Sequence, residues 1–127
     1  MSHDIKNIWD SINKTIFDAL SEENIRGSEI RTLVITNQRK TTLLWNKNTG
    51  NPLHEAIVWL CTRTEKICSK LRDQGLEKVV HEKTGLIISP YFSATKIMWL
   101  LNKIQKGNNL LTSKFALGQL TVTFCIN

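Results

Sequence analysis

Residues 32–59 read TLVITNQRKTTLLWNKNTGNPLHEAIVW, and the order of polar and apolar blocks in this stretch decides the fold. Thr32 to Thr36 (TLVIT) is a short β-branched apolar run, which suits a buried strand. Asn37 to Lys40 then interrupts it with polar side chains, and Thr41 to Trp45 (TTLLW) returns to strand composition. Asn46-Lys47-Asn48-Thr49-Gly50 is a turn signal, rich in residues that tolerate left-handed backbone. It leads to a third strand expected at Ala56 to Trp59. A ribbon of strands is therefore the expected centre of the first half.

Helical periods flank this ribbon. Ile5, Ile8, Trp9, Ile12, Ile16, Ala19 and Leu20 recur at helical spacing, and Asp4 or Ser2 can cap the start. The Ser21–Asn24 stretch and the Gly27-Ser28 pair end that pattern. Beyond the ribbon, Thr62 to Gln74 reads as a helix stopped by Gly75, and Leu76 to Lys83 as a short one ended by Gly85. Ser93 to Lys106 places Ile97, Leu100, Leu101 and Ile104 on one face, with Ser93 as its cap and Gly107-Asn108-Asn109 as its end. Leu117 to Ile126 favours a strand, with a disrupted helix as the alternative. The fold class is α/β: a short mixed sheet with flanking helices, drawn as one domain over 1–127 because no repeat or linker divides it.

Bulk properties exclude several classes. The chain has 127 residues, 41% of them hydrophobic and 22% charged, which is ordinary for a folded domain. No run approaches the ~18 apolar residues of a membrane span. The Met-Ser-His-Asp start carries no apolar signal region, so the cytoplasm is the expected compartment. The formal charge of +6 would permit an anionic partner. The basic residues are scattered, however, without runs or interleaved exposed aromatics, so a solvated surface fits better than a nucleic-acid footprint. Cys61, Cys68 and Cys125 show no metal-ligand spacing and are read as small buried hydrophobes, not a disulfide. His3, His54 and His81 are too far apart for a local metal motif.

No self-contained catalytic motif is present: neither phosphate-cradling glycine signature occurs, and no acidic pair stands out. Two places are more suggestive. Thr36-Asn37-Gln38-Arg39-Lys40-Thr41 lies where one expected strand ends and the next begins, where α/β sheets often bind ligands. A solvated turn fits these residues equally. Trp59 ends a strand and is followed by Arg63, while Tyr91 follows a proline ahead of a helix with a hydroxyl able to reach a ligand. An aromatic such as Trp59 fits a core position as well.

Taken together, Ile35 to Thr64 (ITNQRKTTLLWNKNTGNPLHEAIVWLCTRT), Glu82 to Ile104 (EKTGLIISPYFSATKIMWLLNKI) and the opening HDIKNIW resemble the FGGY family of carbohydrate kinases, and within it the glycerol kinases. The resemblance runs from His3 to about Gly107, with a divergent tail over 108–127. It implies part of an actin- and Hsp70-like, ribonuclease-H-type domain and an ATP- and Mg2+-dependent transfer of phosphate to glycerol or a similar polyol. It also implies a substrate-binding set: Arg39 on glycerol hydroxyls, Trp59 against the carbon backbone, and Tyr91 on another hydroxyl.

Where the family carries a glutamate acceptor after the loop arginine, this chain has Lys40, which has donors only. The family's Gly-Thr-x-Asp-x-Trp-Leu stretch survives as Gly118, with Thr121 and Thr123 at the Asp and Trp positions. The resemblance further places the ATP-binding hairpin before this chain begins, and the catalytic aspartate and adenine site after it stops. No catalytic or metal residue is assigned. The chain is expected to be an incomplete N-terminal kinase domain, inactive alone, with a non-catalytic polyol- or protein-binding remnant as the alternative. A strand at Thr32 to Thr36 left unpaired would favour complementary kinase fragments or self-association as partners.

Overall fold

The strand Thr42–Asn46 (β2 below) is buried along almost its whole length, and the rest of the molecule is arranged around it. The computed structural model describes residues 1–32, 34, 36–107 and 115–120. In chain order they form β1 (Ser2–His3), α1 (Ile5–Glu22), a short 3-10 turn (Gly27–Glu29), β2 (Thr42–Asn46), β3 (Ala56–Ile57), α2 (Glu65–Asp73), α3 (Leu76–Thr84), α4 (Ser93–Gly107) and β4 (Phe115–Gln119). The sheet order is β1-β3-β2-β4. Every described pairing is antiparallel, so the parallel component of the expected mixed sheet is absent among the described residues.

The turn signal works as read. Asn46 Oδ1 accepts from the backbone N–H of Asn48 at 2.8 Å and of Thr49 at 3.2 Å, and Gly50 closes the loop with φ +70°. Asn46 N–H donates to Asn51 O at 2.9 Å and Leu53 N–H to Leu44 O at 2.8 Å, which returns the chain alongside β2. On the other edge of β2, β4 pairs from Thr42↔Gln119 to Asn46↔Phe115.

Strand alternation then divides the core in two. Leu43 and Trp45 face one side with Ile5, Ala56 and Leu120, against α1. Leu44 faces the other with Ile57, Cys61 and Leu100, against α4. The unbroken TTLLW run is thus apolar on both faces because helices cover both.

The helix ends follow local chemistry. Asp4 caps α1 by accepting from Lys6 N–H at 2.8 Å. Asn24, at φ +52°, ends it while Ile25 N–H donates back to Leu20 O at 2.9 Å. Gly75 at φ +73° separates α2 from α3, and Gly85 at φ +70° terminates α3. Arg72 on α2 donates to Ile88 O at 2.9 Å, and Glu77 on α3 accepts from Ile88 N–H at 3.0 Å. These bonds lead the 86–90 segment towards α4. Among the described residues no helix is long and apolar enough to cross a membrane.

Several expectations are corrected. Thr32, Val34 and Thr36 lie in no strand, and Val34 is 88% exposed. A β-branched run becomes a strand only where a neighbour takes its backbone groups, and none of the described strands pairs with these residues. The association hazard expected of an unpaired strand there loses its basis in the described residues. β3 stops at Ile57, short of Trp59. Ser93 is the first residue of α4, and its buried hydroxyl makes no hydrogen bond, so it does not cap. Cys61 and Cys68 are buried free thiols, but only Cys68 is helical; Cys125 and positions 121–126 of the expected tail strand lie outside the described residues.

Because Leu44 is fully buried between β2 and α4, Leu44→Ala is expected to lower unfolding free energy in urea by about 2–5 kcal/mol. Phe17→Ser, on the outer face of α1 where the ring is 70% exposed, should stay within about 0.5 kcal/mol of the parent.

Candidate ligand-binding site

The loop that enters β2 is held by its backbone. Thr41 N–H donates to Gln38 O at 3.4 Å, closing a turn with Arg39 and Lys40 at its centre. Lys40 adopts φ +65°, left-handed backbone that a side-chain-bearing residue other than Asn or Asp rarely takes. Its N–H points to Gln119 Oε1 on β4 at 3.4 Å, so the same strand that pairs with β2 also anchors the turn. Such strain costs about 1–3 kcal/mol and gathers where a side chain has to be aimed.

The Lys40 side chain is aimed at an aromatic corner. Its Nζ donates to Tyr91 Oη at 3.0 Å, lies 4.2 Å from the Tyr91 ring centroid and 5.7 Å from that of Phe92. Trp59 meets Tyr91 edge-to-face at 5.8 Å and 89°, and Tyr91 meets Phe92 the same way at 5.3 Å and 83°. Edge-to-face contacts suit the ring quadrupoles, and a cation over the ring face adds to them. Tyr91 remains 39% exposed, so the corner is open to a ligand.

Beneath it lies a second lysine. Lys96 is fully buried on the first turns of α4 and donates from Nζ to Pro90 O at 2.6 Å and Tyr91 O at 2.8 Å. It thereby ties down the backbone that carries Tyr91. Burial pushes the Lys96 ammonium below the ordinary lysine range; the Cys61 and Cys68 thiols oppose this, and the Lys40 charge adds to it. Thr64 and Thr95 share a buried hydroxyl–hydroxyl bond at 3.1 Å, linking the start of α2 to α4.

The structure therefore brings together Lys40, Trp59 and Tyr91, which are far apart in sequence. Arg39 shares the turn with Lys40 but is exposed and bonds to none of them. Arg63 is engaged elsewhere: Nε donates to Cys61 Sγ at 2.9 Å, Nη2 to Met1 O at 3.2 Å, and the guanidinium lies 4.9 Å from the Trp99 ring centroid. Burial would raise the Cys61 thiol, but the hydrogen bonds from Arg63 and the amino terminus outweigh it and leave its pKa lowered.

Phe92, Lys96 and Gln119 belong to the site without having been singled out from sequence. Lys96 had a usable signal, since it stands four residues before the core-facing Leu100 and so on the same helical face. Gln119 had none, because only the register of β4 brings it to Lys40. Among the described residues no group of three His, Cys, Asp or Glu side chains could hold a metal ion.

Against known proteins, residues 1–117 match the model of the N-terminal domain of the FGGY family of carbohydrate kinases. The chain is 49% identical over 104 residues to a glycerol kinase of Bdellovibrio bacteriovorus, covering 82% of this chain and 21% of that protein. It is 44% identical over 105 residues to one from Staphylococcus epidermidis, covering 83% and 21%. In structure it is similar to Plasmodium falciparum glycerol kinase crystallised with ADP, with a TM-score of 0.76 and 27% identity, covering 99% of this chain and 26% of that one. The chain thus spans about a fifth of the length of the curated relatives it matches.

Lys96→Met is expected to destabilise by about 1–3 kcal/mol through loss of two hydrogen bonds to main-chain carbonyls. Its pH signature has a definite sign. With the folded pKa lowered below 10.5, the unfolded chain binds more protons between the two values. Stability from this group is therefore present above 10.5 and lost as pH falls through the folded pKa. Urea titrations from neutral pH upward should show the parent gaining stability relative to Lys96→Met across that window.

Proposed function

The chain belongs to the FGGY family of carbohydrate kinases, and on that premise we propose that the Lys40–Trp59–Tyr91 corner, with Arg39 beside it, is the polyol-binding part of a glycerol-kinase-like phosphotransferase. One observation carries the reading: a strained turn at Lys40 and a buried lysine clamp under Tyr91 both serve to hold these side chains against each other. The indole and phenol faces would cover the CH groups of a small polyol, and the polar tips of Arg39, Lys40 and Tyr91 would meet its oxygens. Glycerol, which the names of the relatives carry, is a polyol of this kind.

A kinase of this family uses ATP, and Mg2+ would accompany it. Among the described residues no group of three His, Cys, Asp or Glu side chains gathers, and the sequence has neither glycine-rich phosphate signature. Phosphoryl transfer needs nucleotide, metal and nucleophile positioned together. We therefore read residues 1–127, as an incomplete N-terminal kinase domain, as binding polyol without transferring phosphate to it by themselves. The same observation favours a second reading, a non-catalytic module that binds a polyol or a protein through this corner.

A coupled ADP-release assay on the chain with glycerol and Mg-ATP, with Lys40→Glu alongside, is expected to stay at the blank rate for both. Turnover by the chain alone would refute the binding-only reading. Tryptophan fluorescence should respond to millimolar polyol, and Tyr91→Ala should weaken that response about tenfold, with Trp59→Phe abolishing it.

A further inference from the structure

Donors outnumber acceptors among the described side chains of the corner, where the acceptors are the Gln119 amide oxygen and the Tyr91 hydroxyl. Lys40 Nζ has Tyr91 Oη as its acceptor, which leaves further ammonium protons to be taken up. By accepting from Lys40, the Tyr91 hydroxyl is left with its own proton to give. The Trp59 indole N–H can only donate, and Arg39 carries guanidinium donors with no acceptor among the described residues. Among the described residues no carboxylate forms an ion pair with Arg39, Lys40 or Lys96; the described ion pairs are Lys14–Asp18, Arg26–Glu29, Arg72–Glu65 and Lys78–Glu82.

A neutral polyol hydroxyl both donates and accepts, so a wall of donors leaves its proton unmatched. A carboxylate accepts only, offers several lone pairs, and bonds most strongly to charged donors. Buried Lys96 adds positive charge behind the corner, and its hydrogen-bond partners among the described residues are the main-chain carbonyls of Pro90 and Tyr91. Lys40 Nζ already lies over the Tyr91 ring, so the Trp59 indole is the surface left to cover a short carbon chain.

We propose that this site takes a hydroxy-carboxylate, a short polyol acid such as glycerate, in preference to the neutral polyol. The proposal rests on the polyol-site reading above and sharpens its substrate class. The carboxylate meets Lys40 Nζ and the guanidinium of Arg39, and the carbon chain lies against Trp59. Lys40 is the residue that determines specificity, because it sets the sign of the charge offered at the corner.

The test titrates the full chain with glycerate and, separately, with glycerol, by calorimetry and by tryptophan fluorescence, at low and at near-physiological salt. Glycerate is expected to bind about tenfold or more tightly than glycerol, with an affinity that falls as salt is added. Lys40→Glu should reverse the order of the two ligands, and Lys40→Met should bring glycerate down to the glycerol level. Arg39→Met, at an exposed side chain, should weaken glycerate by a larger factor than it weakens glycerol, which keeps the test open if a Lys40 variant fails to fold by circular dichroism. Glycerol binding equal to or tighter than glycerate overturns this proposal while leaving the polyol site standing. Failure of both ligands removes the site and the proposal together.

Discussion

The double burial of β2 is the constraint on which the rest depends. Its edges are bonded to β3 and β4, and its faces are covered from the α1 side and the α4 side. A strand fixed in both directions cannot slip by one residue, since that would exchange Leu43 and Trp45 with Leu44 and place each against the wrong helix. The turn at Gln38–Thr41 is continuous with this strand, and Thr41 is itself fully buried. The site thus inherits its position from the core and not from the loop.

From that anchor the two sides of the corner arrive by different routes. Lys40 comes off the entry to β2, with its backbone held across to β4. Tyr91 comes off the segment before α4, where Lys96 reaches back to the carbonyls of Pro90 and Tyr91. The second route runs through α4, which also packs Leu100 against Leu44. The same helix therefore closes one half of the core and supports the aromatic platform, so damage to its packing would spread into the site.

Much of this was legible in the sequence for identifiable reasons. The Asn46–Gly50 turn, the α1 period with its Asp4 cap and the Leu100 face of α4 are local signals, set by side-chain bonds and spacing within a few residues. Arg39, Lys40, Trp59 and Tyr91 were picked out from their loops and from resemblance; Tyr91 touches both Lys40 and Trp59, while Arg39 stands exposed beside them. What could not be read depends on distant partners. Val34 looks like strand and stands exposed, because pairing and not composition makes a strand. The antiparallel order β1-β3-β2-β4 and the reach of Gln119 to Lys40 are properties of register. Lys96 looks like a surface charge until the helix it sits on is turned inward.

The left-handed turn at Lys40 has a consequence for how such a site changes over time. Its shape is held by a main-chain bond from Thr41 to Gln38 and by the Lys40 N–H on the Gln119 side-chain oxygen, and neither involves the lysine side chain. Within the residues that tolerate left-handed backbone, these bonds do not depend on the charge that projects from position 40. Lysine and glutamate codons differ by a single base, so one point mutation can invert the charge at the corner while the surrounding architecture stays as it is. Ligand preference and fold are inherited on separate terms here, and a lineage can exchange one preference for another without passing through an unfolded ancestor.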